Sequence, residues 1–198
     1  MKKIPDHLND PVDVVIYDAC NAISPYFKET HHTPNIITTY SLITGFLAVY
    51  FLYKKNIVWF AVFMMISYFF DCFDGAFARK YKMMSKFGDY YDHVKDTTVF
   101  ISIAIVLFIR YRSSISVWNL LFAVTYMSIM YVFFGCQQKY YKEKHPEKLA
   151  ETLDSNQSVC KDTSQLAWLR FFGPGIACIV LTSLIVYIWY KDSKRGKK

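Results

Sequence analysis

Aspartates recur at helical spacing in the stretch DCFDGAFARKYKMMSKFGDYYDHVKD, which lies between two apolar runs. Asp71 and Asp74 are three residues apart and Asp92 and Asp96 are four apart, so on helices each pair shares one face. Grouped carboxylates repel one another unless cations neutralise them, and hard oxygen ligands without cysteine or well-spaced histidine favour magnesium or manganese over zinc. The spacing therefore predicts that Asp71, Asp74, Asp92 and Asp96 bind two Mg²⁺ or Mn²⁺ ions, a clamp suited to phosphoryl chemistry.

Two glycines and an arginine accompany these carboxylates. Gly75 and Gly88 carry no side chain, so a phosphate or a sugar could approach the helix backbone at either position. Arg79 follows Asp74 by five residues and could pair with a phosphate oxygen through its forked guanidinium. The alternative, a set of solvated charges at a membrane surface, would explain one aspartate better than four at these spacings.

Apolar segments must position the aspartate stretch. Apolar residues make up 54% of the 198-residue chain and charged residues 20%, a balance that disfavours a soluble helical bundle. Five nearly uncharged runs cover residues 36–53, 57–70, 97–109, 115–136 and 166–190. A helix needs about 20 apolar residues to cross a bilayer, which the first, fourth and fifth runs provide and the other two reach by including part of the aspartate stretch. The sequence predicts an all-α, polytopic transmembrane helical bundle with about five to six spans.

The segment before the first apolar run has the pattern of an amphipathic helix. Val12, Val15, Ile16, Ala19 and Ile23 share one helical face, which predicts an N-terminal helix lying on the membrane surface rather than an ordinary solvated helix.

Three regions follow from this pattern. They are a juxtamembrane segment at residues 1–34, a transmembrane domain at 35–190 and a basic tail at 191–198. Within the domain, residues 137–165 are too polar to cross and should form an extramembrane loop. Pro34 should begin the first span, and the GPG sequence at 173–175 should kink or delay the last helix.

Charge and cysteine content narrow the class of protein further. The formal net charge is +7, with lysines in the connections and the tail, which suits anionic lipid rather than nucleic acid because no basic stripe carries interleaved aromatics. The five cysteines, at positions 20, 72, 136, 160 and 178, form no CxxC pair and are interpreted as reduced packing residues.

The aspartate motif resembles that of a known family. The pattern of Asp71, Asp74-Gly75, Ala78-Arg79, Gly88, Asp92 and Asp96 matches the signature of the CDP-alcohol phosphotransferases at every fixed position. The TPNIIT sequence before the first apolar helix is also similar to the corresponding stretch in that family, and the resemblance covers about residues 33–110.

The resemblance implies a membrane enzyme of the EC 2.7.8 type that moves a phospho-group from a CDP-linked donor to an alcohol acceptor and releases CMP. By position, Asp71, Asp74 and Asp92 would bind two divalent metals, and Asp96 would touch the second metal and take the proton of the acceptor hydroxyl. A further set would lie along the CDP moiety: Asn35, Thr38, Gly75, Ala78 and Arg79. The family also implies six core helices, a homodimer and a site open to the cytosol, in an endoplasmic-reticulum-type membrane in a eukaryote or the plasma membrane in a bacterium.

The sequence GDYYDH bears on the branch of the family. Asp89 and His93 occupy positions similar to an acidic residue and a histidine of the choline and ethanolamine phosphotransferases, which slightly favours CDP-choline or CDP-ethanolamine as donor and diacylglycerol as acceptor. These residues join the candidate site, with His93 as the alternative base.

Two other functions stay open. One is a CDP-diacylglycerol-dependent phosphatidyltransferase acting on inositol, serine or glycerol phosphate, whose members are commonly of this length. The other is a metal-binding transporter or scaffold without turnover, although a transporter should show repeated, broken helices with polar groups at mid-membrane.

Overall fold

The structure is a computed structural model that describes residues 4–144 and 157–195. The regular elements in these ranges are all helices. No strand occurs within those ranges, which confirms the predicted all-α class. The α-helices are α1 Pro11–Glu29, α2 Pro34–Tyr53, α3 Ile57–Lys80, α4 Lys86–Tyr111, α5 Val117–Lys144, α6 Leu166–Leu169 and α7 Pro174–Arg195. Short 3₁₀ turns at Gln157–Val159, Thr163–Gln165 and Arg170–Phe172 surround α6.

Polar side chains begin the first four helices. Asp10, Thr33, Asn56 and Ser85 each accept a hydrogen bond from a backbone N–H of the first turn of α1 to α4 respectively. Such caps satisfy donors that have no partner within the helix. Pro34 opens α2 as predicted, because the first helical position needs no backbone donor.

Four helices have the length and apolar composition to cross a membrane. They are Pro34–Tyr53, Ile57–Lys80, Val117–Lys144 and the stretch Thr163–Arg195 that contains α6 and α7. The predicted span at residues 97–109 belongs to α4, which is 26 residues long but carries charged side chains along its first half. It therefore lacks the apolar window of the other four.

Contacts at the helix ends show that α4 nevertheless runs the full length of the bundle. Its last residue, Tyr111, donates a hydrogen bond to the carbonyl oxygen of Leu52 at the end of α2, 2.9 Å away. Lys55, just after α2, pairs with Asp192 near the end of α7 at 2.5 Å, and Ser114, just before α5, donates to the same carboxylate. We call this the tail end and the opposite end, where α2 and α4 begin and α3 finishes, the site end.

Helix α2 lies between the two helices that carry the aspartates. Helices α3 and α4 each pack mainly against α2 rather than against each other. Small residues allow this: Ser41 and Ser67 exchange hydrogen bonds with each other's carbonyl oxygens, at 2.9 and 2.8 Å. A Cβ atom added to Gly45 would come within 2.9 Å of Val99 on α4. Close helix contact at small residues is typical of membrane bundles.

Helix α1 confirms the predicted N-terminal helix but turns a different face to the bundle. Val15, on the predicted apolar face, is 70% exposed, whereas Asp13, which is not among the residues of that face, is 2% exposed. The reason is a tertiary hydrogen bond, since the Tyr68 hydroxyl of α3 donates to Asp13. Further along α1, Lys80 donates to Ser24 Oγ at 2.5 Å.

The region before the last helix differs from the prediction in one respect. Cys136 and Cys160 form a disulfide, so the interpretation of all five cysteines as reduced is wrong for this pair. The bond joins α5 to the Gln157–Val159 turn and closes a small core with Phe133 and Leu166. The GPG sequence delays the last helix as predicted, because α7 begins only at Pro174.

Two helices extend into the segments that the sequence assigned to the basic tail and the polar loop. Helix α7 continues to Arg195, five residues into the predicted tail, and α5 continues to Lys144, eight residues into the predicted loop. The rest of these predictions, for residues 145–156 and 196–198, lies outside the described residues.

Candidate active site

A cavity opens at the site end between the start of α2, the end of α3 and the start of α4. Its wall includes nine of the residues singled out from the sequence: Asn35, Thr38, Asp74, Gly75, Ala78, Arg79, Gly88, Asp89 and Asp92. The apolar side chains of Met83 and Met84, the hydroxyl of Ser85 and Tyr141 from α5 complete much of the rest. Motif residues of three helices therefore line one pocket, although Asp71 and Asp96 are not part of its wall.

Asp74 is fixed on the cavity wall by a residue of α2. The Thr38 hydroxyl donates to Asp74 Oδ2 at 2.6 Å, and both residues are buried. Thr38 was predicted to contact the donor, and the structure shows that it also orients a predicted metal ligand. One oxygen of the carboxylate thereby stays committed to the protein.

The remaining three aspartates converge beside this cavity. Asp71, Asp92 and Asp96 each offer one oxygen, and the three oxygens lie within 4.8 Å of one another. Asp71 comes from α3, while Asp92 and Asp96 sit on adjacent turns of α4. Asp74 does not belong to this trio, so the four predicted ligands divide into a group of three and a neighbouring carboxylate.

This donor set suits a hard divalent cation. It contains only carboxylate oxygens at a separation that one ion could bridge, which is the preference of Mg²⁺ and Mn²⁺. Each carboxylate offers one oxygen to this set and carries a second oxygen, which leaves further coordination capacity. The residues therefore fit the predicted metal.

A lysine that the sequence interpretation did not use also lies among these carboxylates. Lys95 pairs with Asp71, and its Nζ atom lies 2.9 Å from Asp92 Oδ1 and 2.8 Å from Asp96 Oδ1. Its position three residues after Asp92 on the same helix could have predicted the second of these contacts. Tyr141 had no such signal, since it lies 45 residues from the motif and reaches the cavity only through the path of α5.

Gly75 makes room for the arginine of the motif. A Cβ atom at Gly75 would lie 3.1 Å from one guanidinium nitrogen of Arg79 and 3.6 Å from the other. The same guanidinium lies over the ring of Tyr17 on α1, 5.9 Å from its centroid. The glycine thus lets a cationic fork fold back along the helix toward the cavity, next to Ala78.

Gly88 has a comparable role at the start of α4. Its N–H donates to the Ser85 capping hydroxyl at 3.0 Å, and a Cβ atom there would lie 3.1 Å from Asn35 Oδ1. A side chain at position 88 would therefore press on the Asn35 amide, which was predicted to contact the donor.

The two branch-specific residues are separated. Asp89 lines the cavity, but the His93 side chain is 63% exposed and is absent from the cavity wall. Its Nδ1 lies 2.8 Å from the carbonyl oxygen of Asp89 one turn earlier. Since a carbonyl can only accept, this contact places a proton on Nδ1 and leaves Nε2 as the acceptor.

A known family accounts for this combination of helical membrane fold and acidic motif. Residues 31–156, more than half of the chain, match the family model described as CDP-alcohol phosphatidyltransferase. The chain belongs to this family, which is a family of transferases of phospholipid biosynthesis. Together with the four apolar helices, this makes it an integral membrane protein.

Similarity to an individual protein covers a shorter part of the chain. The chain is 30% identical over 71 residues to an uncharacterized protein of Aquifex aeolicus (strain VF5), and the aligned part covers 36% of each chain. It thus spans about a third of the curated relative it matches. No solved structure matches the chain significantly.

Proposed function

We propose that this protein transfers a phospho-alcohol group from CDP-choline or CDP-ethanolamine to diacylglycerol and releases CMP. The observation that carries the proposal is the meeting of Asp71, Asp92 and Asp96 beside a cavity that Asn35 and Arg79 line. A carboxylate trio, an amide and a guanidinium are the groups needed to hold a nucleotide diphosphate and its counterions.

The donor would bind along the end of α3. Arg79 would contact a phosphate oxygen through its fork, while Gly75 and Ala78 leave the helix surface open for the nucleotide. Asn35 and Thr38 would contact the donor from α2, and Gly88 and Asp89 would close the opposite side from α4. The cavity wall supports this assignment because it includes all seven residues.

Asp71, Asp74 and Asp92 would hold divalent ions, with Asp96 touching the second. When bound, such an ion neutralises the pyrophosphate and stabilises the CMP leaving group. Whether the ion is Mg²⁺ or Mn²⁺ is a matter for assay, since the oxygen donors suit both.

Asp96 is the proposed base. Its side chain is 60% exposed, the most open of the trio, so an acceptor hydroxyl can reach it. The hydroxyl oxygen forms a bond to phosphorus as its proton passes to the Asp96 carboxylate, and the bond from phosphorus to the CMP oxygen breaks. His93 is the alternative base, although it is not part of the cavity wall.

One observation is also compatible with a second donor. Only Asp89 of the two branch-specific residues lies on the cavity wall, while His93 lies outside it. That arrangement suits a CDP-diacylglycerol-dependent phosphatidyltransferase acting on inositol, serine or glycerol phosphate equally well. A metal-binding transporter or scaffold would use the same carboxylates without releasing CMP.

One assay tests all three candidates. Purified protein in lipid vesicles is given CDP-choline, CDP-ethanolamine or CDP-diacylglycerol, each with its acceptors, and CMP is measured. We expect release with diacylglycerol and an aminoalcohol donor. Release only with CDP-diacylglycerol selects the second candidate, and binding without release from any donor selects the transporter or scaffold. Parallel assays in sealed vesicles and cross-linking of the purified protein test the expected cytosolic site and homodimer.

A further inference from the structure

The trio of carboxylates already contains a cation that belongs to the protein. Lys95 is the residue concerned: its side chain is 2% exposed, and its ammonium contacts Asp71, Asp92 and Asp96 together. A hydroxyl from α2 completes its surroundings, since Nζ lies 3.4 Å from Ser41 Oγ. An ammonium has three protons to donate, so this environment satisfies it.

The ammonium occupies the space that an ion bridging the trio would need. The three carboxylate oxygens lie within 4.8 Å of one another, and Nζ lies within hydrogen-bonding distance of each. A magnesium ion binds its oxygens at about 2.1 Å, so an ion shared by these three would fall at the position of Nζ. A divalent ion and the lysine therefore exclude each other there.

The surrounding helices retain the lysine. Its neighbours on α2 and α3, Ser41 and Ser67, are joined by a pair of hydrogen bonds. One turn along α4, Val99 packs tightly on the backbone of Gly45. Withdrawing Lys95 would leave a charge without a partner in this buried interface, which is strongly unfavourable.

We infer that Lys95 is a resident counterion which takes the place of one divalent ion, so that each chain binds a single Mg²⁺ or Mn²⁺. That ion uses carboxylate oxygens that Lys95 does not contact, on the cavity side where Asp74 and Asp92 line the wall. Lys95 also acts as a positioning residue, because it holds Asp71 of α3 against Asp92 and Asp96 of α4. The inference rests on the proposed function and reduces its two ions to one.

Counting bound manganese tests this without measuring turnover. Full-length protein in detergent is titrated with Mn²⁺ in the presence of CMP, and bound ions are counted and examined by electron paramagnetic resonance. We expect one ion per chain with the spectrum of an isolated Mn²⁺. Lys95→Met keeps most of the side-chain bulk but removes the charge, and should admit a second ion with a spin-coupled spectrum and tighten Mn²⁺ binding by about tenfold or more. Lys55→Met, which removes an ion pair at the tail end, should leave the count at one.

The outcomes separate this inference from the proposed function. Two spin-coupled ions in the wild-type protein overturn the lysine assignment, whatever its CMP release. A count of one that Lys95→Met leaves unchanged also overturns it. If Lys95→Met does not fold, the wild-type count and spectrum decide the matter alone. Absence of both bound Mn²⁺ and CMP release in the wild-type protein contradicts the proposed function as well.

Discussion

Arg79 packs along the part of the α3 surface where Gly75 has no side chain. Because Gly75 has no side chain, the planar guanidinium folds back along α3 and lines the cavity. Lysine keeps the positive charge but offers a single point of contact.

The first prediction follows from that difference. Arg79→Lys should raise KM for the CDP donor by about tenfold, which corresponds to the loss of about one charge-assisted hydrogen bond, and should change the melting temperature little. Steady-state kinetics with varied donor would measure it. Arg110→Lys, at the tail end, is the matched control. Unaltered donor KM and turnover in Arg79→Lys would show that the arginine serves only as a charge near the membrane.

The second prediction separates the proposed base from the proposed ligands. Asp96→Asn keeps the size and one acceptor oxygen but cannot take a proton, so turnover should fall by about 10²–10⁴ while CMP binding persists. Asp71→Asn and Asp92→Asn should lose metal and donor binding together.

Calorimetry of CMP binding, paired with turnover, distinguishes these variants. Normal turnover in Asp96→Asn, or loss of CMP binding as complete as in Asp71→Asn, would contradict this division of roles. His93→Gln would then be the next variant to assay, because His93 is the alternative base.

The motif could be predicted from the sequence because its chemistry is local. Helical spacing alone placed Asp92 and Asp96 on one face, and one glycine each accompanied Arg79 and Asn35 in the pocket. The buried contact of Lys95 with Asp71 could not be foreseen, since it depends on how far α3 and α4 lie apart across α2. The burial of Asp13 depended in the same way on a partner in another helix.

At the scale of the elements, the small residues of α2 set the distance between α3 and α4. The third prediction is that Gly45→Val destabilises the bundle by about 1–3 kcal/mol, because the added side chain would collide with Val99, already 2.9 Å from an ideal Cβ. Thermal unfolding in detergent would measure the loss.

Metal binding should weaken in the same Gly45→Val variant, since a shift of α4 moves Asp92 and Asp96 away from Asp71. Ile43→Val, an exposed position on the same helix, is the control and should leave both properties unchanged. Equal melting temperatures for the two variants would show that α2 and α4 are not in tight contact.

The docking of α1 on the bundle should depend on pH. Burial raises the pKa of Asp13 to about 7, although the hydrogen bond from Tyr68 opposes the shift. Burial also raises the pKa of the neighbouring Asp10, which caps α1 and accepts a hydrogen bond from Ile176 N at 2.9 Å. A carboxyl with a raised pKa stabilises the folded state most below its unfolded value of 3.8, and this stabilisation is lost as the pH rises through about 7.

The fourth prediction is that α1 docks more weakly at pH 8 than at pH 5, by no more than about 3 kcal/mol. Distances between spin labels on α1 and α3 would report the change. Asp13→Asn keeps an acceptor for Tyr68 and should remove most of the pH dependence, whereas Asp18→Asn, an exposed position on α1, should preserve it. If the pH dependence of the label distances persists in Asp13→Asn, another titrating group causes it.

At the scale of the whole molecule, the bundle has two unlike ends. The site end holds the cavity, α1 and the Cys136–Cys160 disulfide, and the tail end holds the Lys55–Asp192 pair. Between them α2, α3, α4, α5 and α7 each run from one end to the other, as the contacts at their ends show. The least buried of the four apolar helices is α5, with 11% of its apolar window buried inside the chain.

We expect all five end-to-end helices to cross the membrane, which would place the segments before Pro11 and after Arg195 on opposite sides. A reporter fused before Pro11 and another fused after Arg195 would lie in separate aqueous compartments, even though both helices belong to one bundle. The fifth prediction is that, in sealed vesicles of one orientation, an added protease removes one reporter and spares the other, and detergent exposes both. If a water-soluble CDP donor added outside the vesicles is turned over, the reporter that the protease removes lies on the catalytic side. Removal of both reporters without detergent would require an even number of crossings.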